Sequence, residues 1–245
     1  TSQCVDIKTS ALGVMRDGGY AEYCLVPEKQ CFVLPDMIDD VLGTQVETLA
    51  TIVNGMNHLL MLPYEYAMVI GFGPIGYLFA QFCKNIAVKC AVTEIDPYRI
   101  EVAKKCGLTV WNPNEVDVVE KISEFTYGRK ADIVIEATGN GFEQALKCVT
   151  PGGKLLPFGM DSSITASVVP NEITRWATKI IGLYLGQNTM VPSIRIFREN
   201  RIDMDNFFTK VISLDEGINA FEDLGLDMKT LQRIPKKAMK IVMKP

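Results

Sequence analysis

The sequence predicts a doubly wound α/β fold on a six-stranded parallel sheet, and three observations carry that expectation. Short apolar runs recur at 67–71, 88–93, 108–111, 131–136, 153–158 and 179–185, with helix-length stretches between most of them. Strands that alternate with helices imply parallel pairing, with helices covering both faces of the sheet. The first run ends in Gly71-Phe-Gly73-Pro-Ile-Gly76, a glycine-rich turn that opens an amphipathic helix. The second run ends in an acid, Glu94, 18 positions beyond Gly76.

Each glycine of that turn has a distinct physical use. Gly71 permits a tight turn, Gly73 lets the backbone approach a pyrophosphate, and Gly76 lets the helix pack close to its strand. The helix N-terminus then presents unpaired N–H groups and a positive dipole end to an anion. Pro74 costs nothing in the first turn, where its missing N–H would have no intrahelical partner. Such a glycine pattern alone is weak evidence, because strand–helix turns also use glycine for packing. The preceding strand, the following helix and the acid at the end of the second strand together favour a dinucleotide site. A carboxylate at Glu94 would accept bonds from the adenosine ribose and repel a 2′-phosphate, which points to NAD.

The remaining elements follow from local pattern. Residues 1–16 show no periodicity, Asp17-Gly18-Gly19 reads as a turn, and 20–26 alternates enough for a strand. A second short strand at 31–34 stops at Pro35, and 43–61 reads as an apolar helix whose single acid is Glu47. Within the alternating region, Gly139 bounds the 131–136 strand and Pro151-Gly152-Gly153 precedes the next one. Beyond Gly186 the pattern gives a helix at 191–199, a strand at 208–212, a helix at 214–224 and a closing strand at 237–243.

Composition excludes several classes. Of 245 residues, 48% are hydrophobic and 22% charged, as in a globular protein with a sizeable core. Net charge is −4 without a basic block, so neither nucleic acid nor an anionic membrane is an expected partner. The uncharged stretch 66–83 has the length of a membrane span, but its glycines and proline make strand–turn–helix the better reading. No leader pattern stands at the start, and the seven cysteines form no C-x-x-C pair, so reduced thiols and a cytoplasmic location are expected.

The ordered set Asp17-Gly-Gly-Tyr-Ala-Glu-Tyr23, Leu34-Pro-Asp36, Glu47-Thr-Leu-Ala50, the glycine turn, Glu136-Ala-Thr-Gly139 and Pro151-Gly-Gly-Lys154 resembles the medium-chain dehydrogenases. The closest resemblance is to the zinc-dependent polyol and threonine (sorbitol- or threonine-dehydrogenase-like) branch, and it covers essentially the whole chain. It implies an alcohol, polyol, sugar-acid or amino-alcohol as substrate, with hydride passing to a nicotinamide. It also implies a catalytic zinc and assembly into homodimers or homotetramers. By position, Gly71, Gly73, Pro74, Ile75 and Gly76 would hold the pyrophosphate, and Glu94 the ribose, with Arg99 beside the ribose or adenine. Ala137, Thr138, Gly139, Phe158, Gly159 and Met160 would line the path to the nicotinamide, and Glu47 would be a zinc ligand.

The resemblance further implies a remnant of a mostly β catalytic domain at 1–45 and a dinucleotide domain at 46–190. Residues 191–245 would complete that domain and return a strand to the catalytic one. The segment that carries the family's cysteine and histidine zinc ligands has no counterpart here, and Cys4 resembles the last of four structural-zinc cysteines. One carboxylate cannot hold zinc, which takes three or four protein ligands, so this chain alone is expected to bind no catalytic metal and to be inactive. The only histidine, His58, falls beside the family's helix position, where Asn54 stands, and no catalytic residue is assigned. Two alternatives remain open. The chain is a nucleotide-binding module without catalysis, or a zinc-free reductase of the quinone or enoyl type, against which Glu94 argues. A methyltransferase is disfavoured by the Ala137-Thr-Gly139 and Pro151-Gly-Gly153 motifs.

Overall fold

The computed structural model describes residues 11–245, and the expectation for Cys4 lies outside them. Two compact units emerge, Gly55–Leu183 and a second made of residues up to Asn54 together with Tyr184–Pro245.

The Gly55–Leu183 unit contains the six-stranded sheet. Its strands are β1 (Tyr66–Ile70), β2 (Lys89–Thr93), β3 (Thr109–Trp111), β4 (Ala131–Glu136), β5 (Val149–Pro157) and β6 (Lys179–Ile180). They lie in the order β3-β2-β1-β4-β5-β6, and every pair is parallel. This is the fold class expected from the sequence. In such a sheet the strand order reverses between β1 and β4, and ligands bind at the carboxyl ends beside that point.

The sheet is apolar on both faces because helices cover both. Met68, Ile70, Val134 and Leu155 pack with Val118, Ile122, Ala145 and Cys148 of two covering helices, Val118–Phe125 and Phe142–Cys148. Trp111 meets Phe125 edge-to-face at 5.6 Å on the rim of that cluster. The helix after β1, Pro74–Ile86, is buried along Tyr77, Leu78, Phe79, Ala80 and Cys83. Helix starts are encoded locally. Pro74 and Pro97 stand at first helical positions, and Asp96 and Asp117 accept bonds from Arg99 N at 3.2 Å and Val119 N at 2.8 Å as side-chain caps.

The single helix expected at 43–61 is two. Asp40–Gly43 is capped by Asp39, which accepts from Leu42 N at 2.8 Å, and Val46–Leu59 follows after a break at Thr44-Gln45. The later strands, Phe208–Ser213 and Lys240–Lys244, form a parallel pair. The helix over Met190–Arg198 falls where the pattern put it, whereas the one expected at 214–224 begins as a 3-10 turn and becomes Gly217–Asp223.

Three strand expectations fail. Residues 20–26 and 31–34 join no sheet, and Tyr20, Tyr23, Leu25 and Val33 are each more than 80% exposed. Alternation makes a segment able to be a strand, but a ladder needs a neighbouring strand, and none pairs with these among the described residues. The run at 179–185 pairs over only two residues, because Gly182 follows and Leu185 takes a left-handed φ of 54°.

Candidate functional site

The glycine turn sits at the carboxyl end of β1, and its geometry tolerates no side chain at two of its glycines. Gly71 has φ +90°, and a Cβ there would lie 2.5 Å from Thr138 Cγ2. A Cβ on Gly76 would lie 1.9 Å from the carbonyl oxygen of Gly71, so strand and helix are in direct backbone contact. Gly73 is the N-cap residue of the helix, and its carbonyl accepts from Tyr77 N at 2.8 Å. Pro74 and Ile75 are partly exposed on the first turn, where the backbone N–H groups of any helix lack intrahelical partners.

Two further loops reach the same edge of the sheet. The loop after β4 holds Ala137, Thr138 and Gly139, and its conformation is set by Glu136, which is 2% exposed. One carboxylate gathers the loop: Thr138 N donates at 2.8 Å, Gly139 N at 3.0 and 3.1 Å, and Gly141 N at 3.3 Å. The Thr138 hydroxyl donates to it as well. Ala137 N donates to Ile70 O at 2.9 Å, tying the loop to the end of β1. After β5, Phe158 N and Gly159 N both donate to Glu136 O at 2.8 Å. A Cβ on Gly159 would fall 2.0 Å from Gly139 N, so these loops touch backbone to backbone. The Phe158 ring stacks edge-to-face on Phe79 at 4.9 Å, and Met160 is 78% exposed.

The end of β2 completes the cluster. Glu94 is 7% exposed and accepts from Phe72 N at 3.0 Å, Ile95 N at 2.8 Å and Asp96 N at 3.0 Å. Arg99 lies against it, with Nη1 4.0 Å from Glu94 Oε2, and a Cβ on Gly73 would lie 3.2 Å from the same nitrogen. Burial lowers the Arg99 pKa, while Glu94, Asp96 and Tyr98 oppose that shift. The glycines, Glu94, Arg99, Thr138, Gly139 and Gly159 thus converge on one edge of one sheet. Backbone amides next to a helix N-terminus can hold a phosphorylated ligand.

Glu47 lies in the other unit, near the start of the Val46–Leu59 helix, and is exposed. Desolvation raises its pKa and the Lys240 charge opposes this; Lys240 is lowered by burial, with Glu47 opposing in turn. Among the described residues no group of three or more His, Cys, Asp and Glu side chains lies together. Zinc needs three or four donors, so the described residues do not make a zinc site, and Glu47 has an ammonium group for its neighbour. His58 is exposed, and the Asn54 side chain donates to Leu185 O at 2.7 Å.

Sequence reasoning overlooked Glu136 as an organiser of the site, although it named the motif that contains it. Its signal was available: an acid ending an apolar strand, two positions before Thr138-Gly139, as Glu94 ends the neighbouring run.

A family model described as zinc-binding dehydrogenase matches residues 74–199, more than half of the chain. The chain belongs to that family. It is similar to L-threonine 3-dehydrogenase of Chromobacterium violaceum, 29% identical over 180 residues, which are 72% of this chain and 52% of that enzyme. Among solved structures, 2R,3R-butanediol dehydrogenase from Bacillus subtilis is 27% identical with a TM-score of 0.84, covering 96% of this chain and 66% of that one. A zinc-binding dehydrogenase from Sinorhizobium meliloti, solved bound to NADP, has a TM-score of 0.86 at 23% identity and shares the fold, over 100% of this chain and 74% of that one. The chain thus spans about half to three quarters of the length of these dehydrogenases. These relatives fit the medium-chain polyol and threonine branch that the motifs resemble.

Proposed function

We propose that this chain is the cofactor-binding part of a nicotinamide-dependent alcohol or polyol dehydrogenase, and that NAD is a cofactor it takes. The observation that carries the reading is the contact of Gly76 with the Gly71 carbonyl, where a Cβ would stand 1.9 Å from the oxygen. That closeness brings the helix N-terminus to the strand end, where backbone N–H groups can meet a pyrophosphate. The nicotinamide supplies the hydride acceptor when bound.

The roles of the chain's own groups follow from their positions. The amides of the turn at Gly73, Pro74 and Ile75 (its prolyl nitrogen excepted) orient the pyrophosphate, and Glu94 accepts a ribose hydroxyl. The loops at Ala137–Gly139 and Phe158–Met160 form a wall along which the nicotinamide extends, and their mutual contact excludes water from beneath it. Orienting two reactants in this way can account for several kcal/mol of a barrier. Glu47 would be one of the three or four protein ligands that a zinc ion needs. A dinucleotide domain at 46–190, small-molecule alcohol or polyol substrates and a homodimer or homotetramer belong to the same reading.

The test is direct binding. NADH fluorescence and calorimetry with the 245-residue chain should give saturable one-site binding. Gly76→Val, with its fold checked by circular dichroism, should abolish it. A wild-type chain that leaves NADH fluorescence and heat unchanged at millimolar cofactor would refute the reading.

A further inference from the structure

The chain holds two Asn-Gly pairs, Asn54-Gly55 and Asn140-Gly141. In such a pair the backbone nitrogen of the glycine can attack the asparagine side-chain carbonyl, because no Cβ on the second residue shields it. The fold decides which pair can react. Asn54 lies within the Val46–Leu59 helix, 2% exposed, and its side-chain nitrogen donates to Leu185 O at 2.7 Å. The helix ladder also holds the nitrogen of Gly55 away from that side chain. Asn140 is exposed, in the loop between β4 and the Phe142–Cys148 helix and outside any ladder, so water reaches it.

The surroundings of Asn140 suit the reaction. Its Oδ1 accepts from the Thr138 hydroxyl at 2.8 Å, a proton that Thr138 shares with Glu136 Oε1. A donor at that oxygen stands where negative charge develops when a nucleophile adds to the carbonyl. The N–H of Gly141, which must lose its proton, faces Glu136 Oε1 at 3.3 Å, the longest of the bonds that carboxylate accepts from the loop amides. The hold on the nitrogen is weak, and an acceptor for its proton is at hand. Gly141 N then bonds to Asn140 Cγ, the Cγ–Nδ2 bond breaks, and ammonia leaves with the proton that Gly141 N gave up. Water adds to either carbonyl of the cyclic imide and opens it, leaving a carboxyl on the side chain (aspartate) or in the main chain (isoaspartate).

We propose that Asn140-Gly141 is a self-modification site, which converts to aspartate and isoaspartate while no dinucleotide covers its loop and which lowers dinucleotide affinity once converted. The proposal rests on reading the glycine turn and the loop after β4 as a dinucleotide site, and adds to that reading a chemical change that the ligand restrains. The loss of affinity follows from the loop's construction. Thr138, Gly139 and Gly141 all donate to Glu136, at distances of 2.8 to 3.3 Å. Isoaspartate lengthens the main chain between Gly139 and Gly141 by one C–C bond, about 1.5 Å. One carboxylate cannot keep all of those bonds across such a change. Either product also sets a new negative charge in the loop beside Glu136.

The intact chain, held at pH 8 with and without saturating NADH, is sampled over time by peptide mass spectrometry with chromatographic separation of the two products. Asn140 should convert at least tenfold faster than Asn54, with isoaspartate the larger product, and NADH should slow the conversion at least threefold. The aged wild-type chain should bind NADH at least threefold more weakly than the fresh chain. Asn140→Gln, whose longer side chain must close a larger ring, should keep its affinity through the same ageing. Conversion of Asn140 no faster than that of Asn54 would overturn the proposal and leave the dinucleotide site standing. So would equal rates with and without NADH in a chain that binds it, or unchanged affinity in a chain shown to be converted. Failure of the fresh wild type to bind NADH would overturn both readings. The wild-type time course needs no variant, so a misfolded Asn140→Gln leaves the proposal testable.

Discussion

At the scale of single residues, the site depends on atoms that are missing. Gly76→Ala would push a methyl group into the Gly71 carbonyl, and no flexible side chain is there to yield. Forced overpacking of this kind costs about 1–3 kcal/mol, and the shifted helix start should weaken nucleotide binding too. Urea denaturation and NADH titration measure the two effects, and an alanine variant with wild-type stability would contradict the geometry. The Glu47–Lys240 pair makes a different prediction. Glu47 has a raised pKa, so its favourable contribution is full below its unfolded value and is lost as pH rises through the folded one. Lys240 has a lowered pKa, so its contribution is full above its unfolded value and is lost as pH falls through the folded one. Each ion therefore costs stability near neutrality, and each relieves the other. Lys240→Met should raise the Glu47 pKa further, as read from its carboxyl carbon shift in an NMR titration. A titration that does not move would remove the pairing.

At the scale of elements, the loop after β4 hangs on one carboxylate. Glu136→Gln keeps the shape but replaces an acceptor oxygen by an N–H₂ group that faces N–H donors from Thr138, Gly139 and Gly141. Leaving such buried groups unpaired costs about 1–3 kcal/mol. Amide exchange at 138–141 should accelerate well beyond that in β1, whereas uniform acceleration would mean that Glu136 supports the whole unit rather than the loop. Elements were read well from sequence wherever local signals and burial agreed. Pro74 marks a helix start, and β1 and β4 are almost wholly buried because both faces are covered. Elements that depend on a partner strand were not legible. Residues 20–26 alternate like a strand, but alternation carries no information on whether a neighbour is there to pair with it.

At the scale of the whole molecule, thiol chemistry maps burial. Cys24 and Cys31 are exposed, whereas Cys83, Cys90, Cys106 and Cys148 are buried. Burial pushes the Cys148 thiol up to about 12, and contact with Cys90 together with desolvation raises Cys83. Since the thiolate is the nucleophile, iodoacetamide at pH 8 should label Cys24 and Cys31 quickly and the four buried thiols only on unfolding. Rapid labelling of Cys148 in the native chain, read by peptide mass spectrometry, would argue against the packed sheet. The six-stranded parallel sheet could be anticipated from strand alternation, and the convergence of the glycine turn with the loops after β4 and β5 from the family resemblance. How Glu94 divides its acceptors, and that Arg99 leans over Gly73, could not. Those facts depend on distances of a few tenths of an ångström that spacing along the chain does not encode.

The backbone contact between Gly139 and Gly159 sets a practical boundary for anyone who would retune this protein. Where two main chains touch without a side chain between them, a library that varies those positions yields mostly misassembled loops. Diversity is better placed at Met160, whose exposed side chain can change while the frame beneath it stays as it is.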